Sequence, residues 1–150
     1  ISGGEPFVQA GLPQLIRKLL ADNFEVIIET NGTLWFQEMN DIANHKNLRI
    51  CCSPKTGKIN KSLVKNISHY KYIVKEGETR EIDGLPNVSA LTGNEILLAR
   101  PEGSFPVIYV QPMDEQDEEK NKANLAHATK LALKHCYRLS VQIHKIAGVP

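Results

Sequence analysis

The feature that most constrains this chain is an alternation of short, β-branched apolar runs with stretches whose apolar residues recur at helical spacing. Runs at 24–29, 48–52, 70–74 and 107–111 have strand length, and helical patterns lie between them. Strands alternating with helices predict an α/β fold, a parallel sheet with helical crossovers, curved or closed like part of a β/α barrel. Ligands in such folds bind at the C-terminal ends of the strands. Polar groups stand there: Glu29-Thr30-Asn31-Gly32-Thr33, Ser53-Pro54-Lys55 and Gln111-Pro112-Met113-Asp114.

A fourth polar group, Ser2-Gly3-Gly4-Glu5-Pro6, opens the chain. Adjacent glycines let the backbone turn without a Cβ and approach a ligand, and the acid-proline pair fixes the exit. A ligand cradle and an ordinary strand-to-helix turn are both open from these residues alone.

Behind it, Leu12, Leu15, Ile16, Leu19 and Leu20 mark one face of a helix that tolerates Pro13 in its first turn and ends at Asp22-Asn23. Phe24 to Glu29 reads as a strand buried on both faces. Trp35, Phe36, Met39, Ile42 and Ala43 signal a second helix capped by Thr33, and Ile59, Leu63, Val64 and Ile67 a short one. Between Lys75 and Pro106, glycines and prolines break the periodicity and predict turns and short helical pieces, with 94–100 left open between loop and helix, as in a long connection that is either functional or poorly ordered. Asp114 to Glu119 then leads into a helix whose inner side is Ala123, Leu125, Ala126, Ala128, Leu131 and Ala132, its acids suiting the helix dipole. Arg138 to His144 reads as a final strand, with Ser140, Gln142 and His144 on one face.

At 150 residues and 41% hydrophobic content the chain suits one domain with a sizeable core. Its net charge of +1 provides no overall field for nucleic acid or membrane, and no apolar run approaches the roughly 20 residues that span a bilayer. Without a signal segment, the default location is the cytoplasm. The odd count of three cysteines fits a reducing compartment; Cys51 and Cys52 should point to opposite faces of their strand, and all three read as buried structural thiols. Lacking an initiator Met, the chain reads as a fragment without its N-terminal part.

The Gly3-Gly4-Glu5-Pro6 turn before a helix, with polar strand ends behind it, resembles the radical S-adenosylmethionine (SAM) enzymes. Within them, the three later polar groups and the closing Leu139-Ser140-Val141-Gln142-Ile143-His144-Lys145 resemble the 7-carboxy-7-deazaguanine synthase family along the whole chain. The resemblance implies a radical SAM core domain and a carbon-nitrogen lyase acting in queuosine and 7-deazapurine biosynthesis, a tRNA-modification pathway. Its reaction would contract 6-carboxy-5,6,7,8-tetrahydropterin to 7-carboxy-7-deazaguanine with loss of ammonia. SAM, a [4Fe-4S] cluster and Mg2+ would be its cofactors, a homodimer its assembly, and a protein such as flavodoxin its electron donor.

Carried over by position, Gly4, Ser53, Pro54, Lys55, Gln111, Pro112, Met113 and Asp114 would bind SAM, and Ser2 and the terminal Pro150 the pterin. Glu29, Asn31, Gln142 and His144 could face the same site; for His144 a core role is equally open. The family's three-cysteine motif, CxxxCxxC, lies upstream of the glycine turn, as do its Mg2+ contacts, and neither is in this sequence. Cleavage of SAM by this chain alone is therefore not expected. Two other readings compete: a different radical SAM enzyme such as an activase of glycyl-radical enzymes, and a non-catalytic SAM-binding module.

Overall fold

The computed structural model describes residues 1–89, 97–103, 106–147 and 149. Five strands form one sheet in the order of the chain, β1 (Val26–Thr30), β2 (Leu48–Cys52), β3 (His69–Val74), β4 (Ile108–Pro112) and β5 (Arg138–Leu139), and every neighbouring pair is parallel. The predicted parallel α/β sheet is present. Its crossovers are less helical than expected. Beside the α-helices α1 (Leu12–Ala21), α2 (Lys61–Val64), α3 (Glu118–His135) and α4 (Ile143–Ile146), there are single 3-10 turns at Pro6–Val8 and Gln37–Met39.

Period-two alternation sorts the sheet into two unlike faces. One carries Val26, Ile28, Ile50, Cys52, Tyr70, Tyr72, Val74 and Val110, all buried in a single apolar core. The other carries Glu29, Lys71, Tyr109 and Gln111, all half-buried, with Ile27 52% exposed. Burial of β1 on both faces is thus corrected: helices cover one face only. Ile1 meets the outer edge of β1, its amine donating to Ile27 O at 2.6 Å and its carbonyl accepting from Glu29 N at 3.0 Å.

In α1, Leu12, Ile16 and Leu20 stack at i, i+4 and i+8 and are buried, each burial contributing about 1.5–3 kcal/mol. Leu15 falls about a sixth of a turn beyond that stripe and is 47% exposed, against expectation. In α3 the buried positions are Asn124, Ala128 and Leu131; Ala126 faces outward, a second correction of the same kind. Asp117 caps α3 by accepting from Lys120 N, and Glu118 and Glu119 fill its first turn, which gives the acidic run its structural role.

The segment from Trp35 to Ala43 is not an α-helix. Phe36 is extended and Thr33 bonds back to Asn31, so the chain makes a 3-10 turn at Gln37–Met39 followed by turns through residue 44; Met39 and Ala43 still reach the core, and Trp35 and Phe36 pack on Phe7 with ring centroids 5.5 and 6.0 Å away. The predicted strand to His144 ends at Leu139, and the chain turns into α4, so Ser140, Gln142 and His144 share no strand face. Cys136, expected to be buried, is exposed at the left-handed cap of α3, φ 56°.

The long connection after β3 is pinned to the core by tyrosines of that strand. Tyr72 Oη donates to Ala99 O at 2.7 Å, and Tyr70 Oη accepts from Glu102 N at 3.2 Å. Residues 90–96 and 104–105 of this connection, and with them 94–96 of the 94–100 stretch, lie outside the described residues.

Gly32 sits at φ +86°, where a Cβ would come 2.7 Å from Cys52 Sγ. Gly32→Ala combines left-handed strain with overpacking and should lower stability by about 2–4 kcal/mol in urea unfolding. At Gly11 an added Cβ meets nothing within 4 Å and φ is −80°, so Gly11→Ala should be neutral or stabilise by up to about 1 kcal/mol.

Candidate functional site

The opening turn is fastened to the end of β1 by one side chain. Glu5 Oε1 accepts from Thr30 Oγ1 at 2.7 Å and from Phe7 N at 3.1 Å, and Glu5 Oε2 from Asn31 N at 2.6 Å. Thr30, 3% exposed, passes the tie on by accepting from Gly32 N at 3.1 Å. Gly3 and Gly4 take φ of +97° and +51°, and an added Cβ at either meets nothing within 4 Å: the turn faces open space.

That space is a cleft of about 380 Å³ at the C-terminal ends of β1 to β4. Ser2, Gly3 and Gly4 form one wall, Ser53 and Lys55 another, and Glu29, Asn31, Gln111 and Gln142 also line it. Lys71 reaches across β2 to Glu29, Nζ to Oε1 2.6 Å, with Cys51 between the two strands. Lys55 Nζ lies 3.5 Å from Ser53 Oγ; burial first, then the neighbouring Lys71 charge, pull its pKa below the usual lysine range. Asn31 spends its side-chain oxygen on Thr33 N and Thr33 Oγ1, at 2.8 and 2.6 Å, and so shapes the loop.

The other predicted residues separate from these. Pro54 is buried and lines neither cleft. Pro112, Met113 and Asp114 line a second cleft of about 650 Å³, between the end of β4, the start of α3 and the segment before α4. Among the described residues only Gln142, whose backbone precedes α4, lines both. The Asp114 carboxylate is held by Lys145 Nζ and accepts from Gln116 N at 2.9 Å and Asn121 Nδ2 at 2.8 Å. Lys145 first, then Gln116 and Asn121, bring its pKa down to about 2. Met113 O accepts from Nδ2 of the buried Asn124, and Met113 N donates to Val74 O. His144 is exposed on α4 and lines neither cleft, which removes its placement on a site-facing strand. Pro150 lies outside the described residues.

Two residues of the site escaped the sequence reading. Glu5 does more than fix the exit of the turn: it joins two loops. Lys71 is the one charge in Tyr70-Lys71-Tyr72-Ile73-Val74, and strict alternation across a strand with one open face would have found it.

The three cysteines do not suit an iron-sulfur cluster. Cys51 and Cys52 point to opposite faces, and burial, the largest cause for each, pushes their thiols up to about 11 and about 12. Among the described residues, no group of three or more His, Cys, Asp or Glu side chains is placed to hold a metal ion, and no helix is long and apolar enough to cross a membrane.

A parallel α/β sheet with a polar cleft at its strand ends defines the class. Compared with known proteins, the chain is related over nearly its whole length to enzymes named 7-carboxy-7-deazaguanine synthase. It is 42% identical to that of Rhodospirillum rubrum, aligning 99% of this chain with 63% of the relative. The Rickettsia prowazekii protein is 36% identical over 99% of this chain and 58% of its own length, and the Aquifex aeolicus protein 33% over 97% and 62%. The chain thus spans about three fifths of the length of these curated relatives. No family model and no solved structure gives a significant match.

Glu5→Gln leaves one acceptor where two oxygens serve three donors, and should lower stability by about 1.5–3 kcal/mol in urea unfolding. Because the Asp114 pKa is depressed in the folded chain, its contribution to stability is complete above about pH 4 and is lost as pH falls through about 2. Carboxyl NMR should place its midpoint near 2, rising toward the ordinary range in Lys145→Ala.

Proposed function

We propose that this chain supplies the SAM- and pterin-facing part of a radical SAM 7-carboxy-7-deazaguanine synthase. The reaction would convert 6-carboxy-5,6,7,8-tetrahydropterin to 7-carboxy-7-deazaguanine with release of ammonia. The observation that carries this reading is the cleft itself, in which the Gly3-Gly4 turn, Glu29, Ser53, Lys55 and Gln111 converge from separate strand ends. The shared name of the relatives speaks for the synthase over a glycyl-radical activase or a binding module.

The donor set fits SAM, which presents an ammonium, a carboxylate and a ribose diol and so needs acceptors, cations and backbone groups together. Gly3 and Gly4 leave room for close approach of the main chain, Lys55 offers a cation, and Glu29 and Gln111 offer hydroxyl acceptors. Bound there and reductively cleaved, SAM would supply hydrogen abstraction from the substrate. Ser2, at the rim beside Gly3, would touch the pterin, and the Pro112-Met113-Asp114 cleft would take the nucleoside end. The cysteines described do not fit a cluster, so neither cluster binding nor electron entry is assigned to residues of this chain.

The test is an anaerobic assay of the intact protein, reconstituted with iron and sulfide and given SAM, Mg2+, a reductant and the carboxypterin, with products read by mass spectrometry. 7-Carboxy-7-deazaguanine is expected; SAM cleavage without it would remove the substrate assignment, and no cleavage with a verified cluster would remove the enzyme reading. Lys55→Ala should weaken SAM binding about tenfold or more by calorimetry, the loss expected for one charged hydrogen bond. Unchanged affinity would take Lys55 out of the site.

A further inference from the structure

Among the described residues the cleft is lined by two ammonium groups, Lys55 and Lys71, and one carboxylate, Glu29. Glu5 is spent on Phe7 N, Thr30 Oγ1 and Asn31 N, which leaves Glu29 as the one carboxylate opposite Lys55 and Lys71. Glu29 is committed to Lys71 at 2.6 Å, and none of the ion pairs among the described residues includes Lys55. The Lys71 side chain is 18% exposed, so its charge is partly stripped of water and is held by Glu29 in a fixed place across β2. Lys55 and Lys71 line one cleft, where the Lys71 charge acts on Lys55, and their one carboxylate, Glu29, is paired with Lys71, so two positive charges meet one negative.

Resting on the proposed function, we infer that Lys71, positioned by Glu29, acts with Lys55 as a carboxylate-recognition pair in the cleft. A ligand carboxylate completes the neutralisation that Glu29 begins, and a lysine already oriented loses little side-chain freedom on binding it. Two reactants carry such a group, SAM at its amino-acid end and the pterin at its 6-carboxylate. Glu29 is a positioning residue here and Lys71 a binding residue.

The experiment uses the intact protein and two ligand pairs that differ by the carboxylate alone: S-adenosylhomocysteine against its decarboxylated aminopropyl analogue, and pterin-6-carboxylate against pterin. Calorimetry gives the preference for the carboxylate in each pair. Lys71→Met should cut one preference fivefold or more while affinity for the carboxylate-free member stays within threefold, and the pair affected names the source. Glu29→Gln should reduce the same preference by a smaller factor. If Lys71→Met does not fold, Lys71→Gln gives the same readout. A wild type without preference in either pair, or a Lys71 variant that changes both by less than fivefold, overturns the pairing and leaves the proposed function standing. A wild type that binds none of the four ligands overturns both.

Discussion

One carboxylate holds the architecture of the cleft together. Glu5 receives two backbone N–H groups and a buried hydroxyl, from a turn near the start of the chain and from a strand end some 25 positions later. Bonds to a charged acceptor are stronger than neutral ones, and here they link two loops rather than two regular elements. Gly3 and Gly4 can face open space because Glu5 fixes what lies behind them, and Gly32 can pack on Cys52 because Thr30 carries the tie one step further.

The division of labour between the faces of the sheet follows from the strand period. One register of each strand is given to the core, closed by α1, α3 and the aromatic cluster of Phe7, Trp35 and Phe36. The other register carries polar and aromatic side chains: Glu29, Lys71 and Gln111, and below them His69, Tyr109 and Arg138, whose guanidinium lies 5.6 Å from the Tyr109 ring and donates to its hydroxyl. A single-residue slip of any strand would exchange the two sets, so the apolar face specifies the position of the polar one.

Much of this was legible in the sequence. Alternation of strand and helix patterns gave the parallel sheet, and polar groups at strand ends gave Ser2, Gly4, Ser53, Lys55 and Gln111 of one cleft. What escaped depended on tertiary contacts. The Trp35 to Ala43 segment has helical spacing, yet its aromatics are drawn onto Phe7 and the Asn31 loop consumes the expected cap. The run ending in His144 has strand-like residues, but beyond Leu139 β4 offers it only the bond from Ser140 N to Val110 O, and without a ladder it turns helical. Asp114 lines the second cleft and is also bonded to Lys145, a partner that no local pattern announces.

The tyrosine hydroxyls that reach from β3 to the long connection have a kinetic consequence. Residues 75–107 separate two adjacent strands and are roughly twice as many as those between β1 and β2. Closing a loop of doubled length costs only about 0.6 kcal/mol more, so the length weighs little on equilibrium stability. Its effect falls on rate, since β4 pairs with β3 only after the longest excursion of the chain has been gathered in. By fixing Ala99 and Glu102 over strand β3, Tyr72 and Tyr70 divide that excursion into shorter closures, so the arrival of β4 is guided from the core it will join.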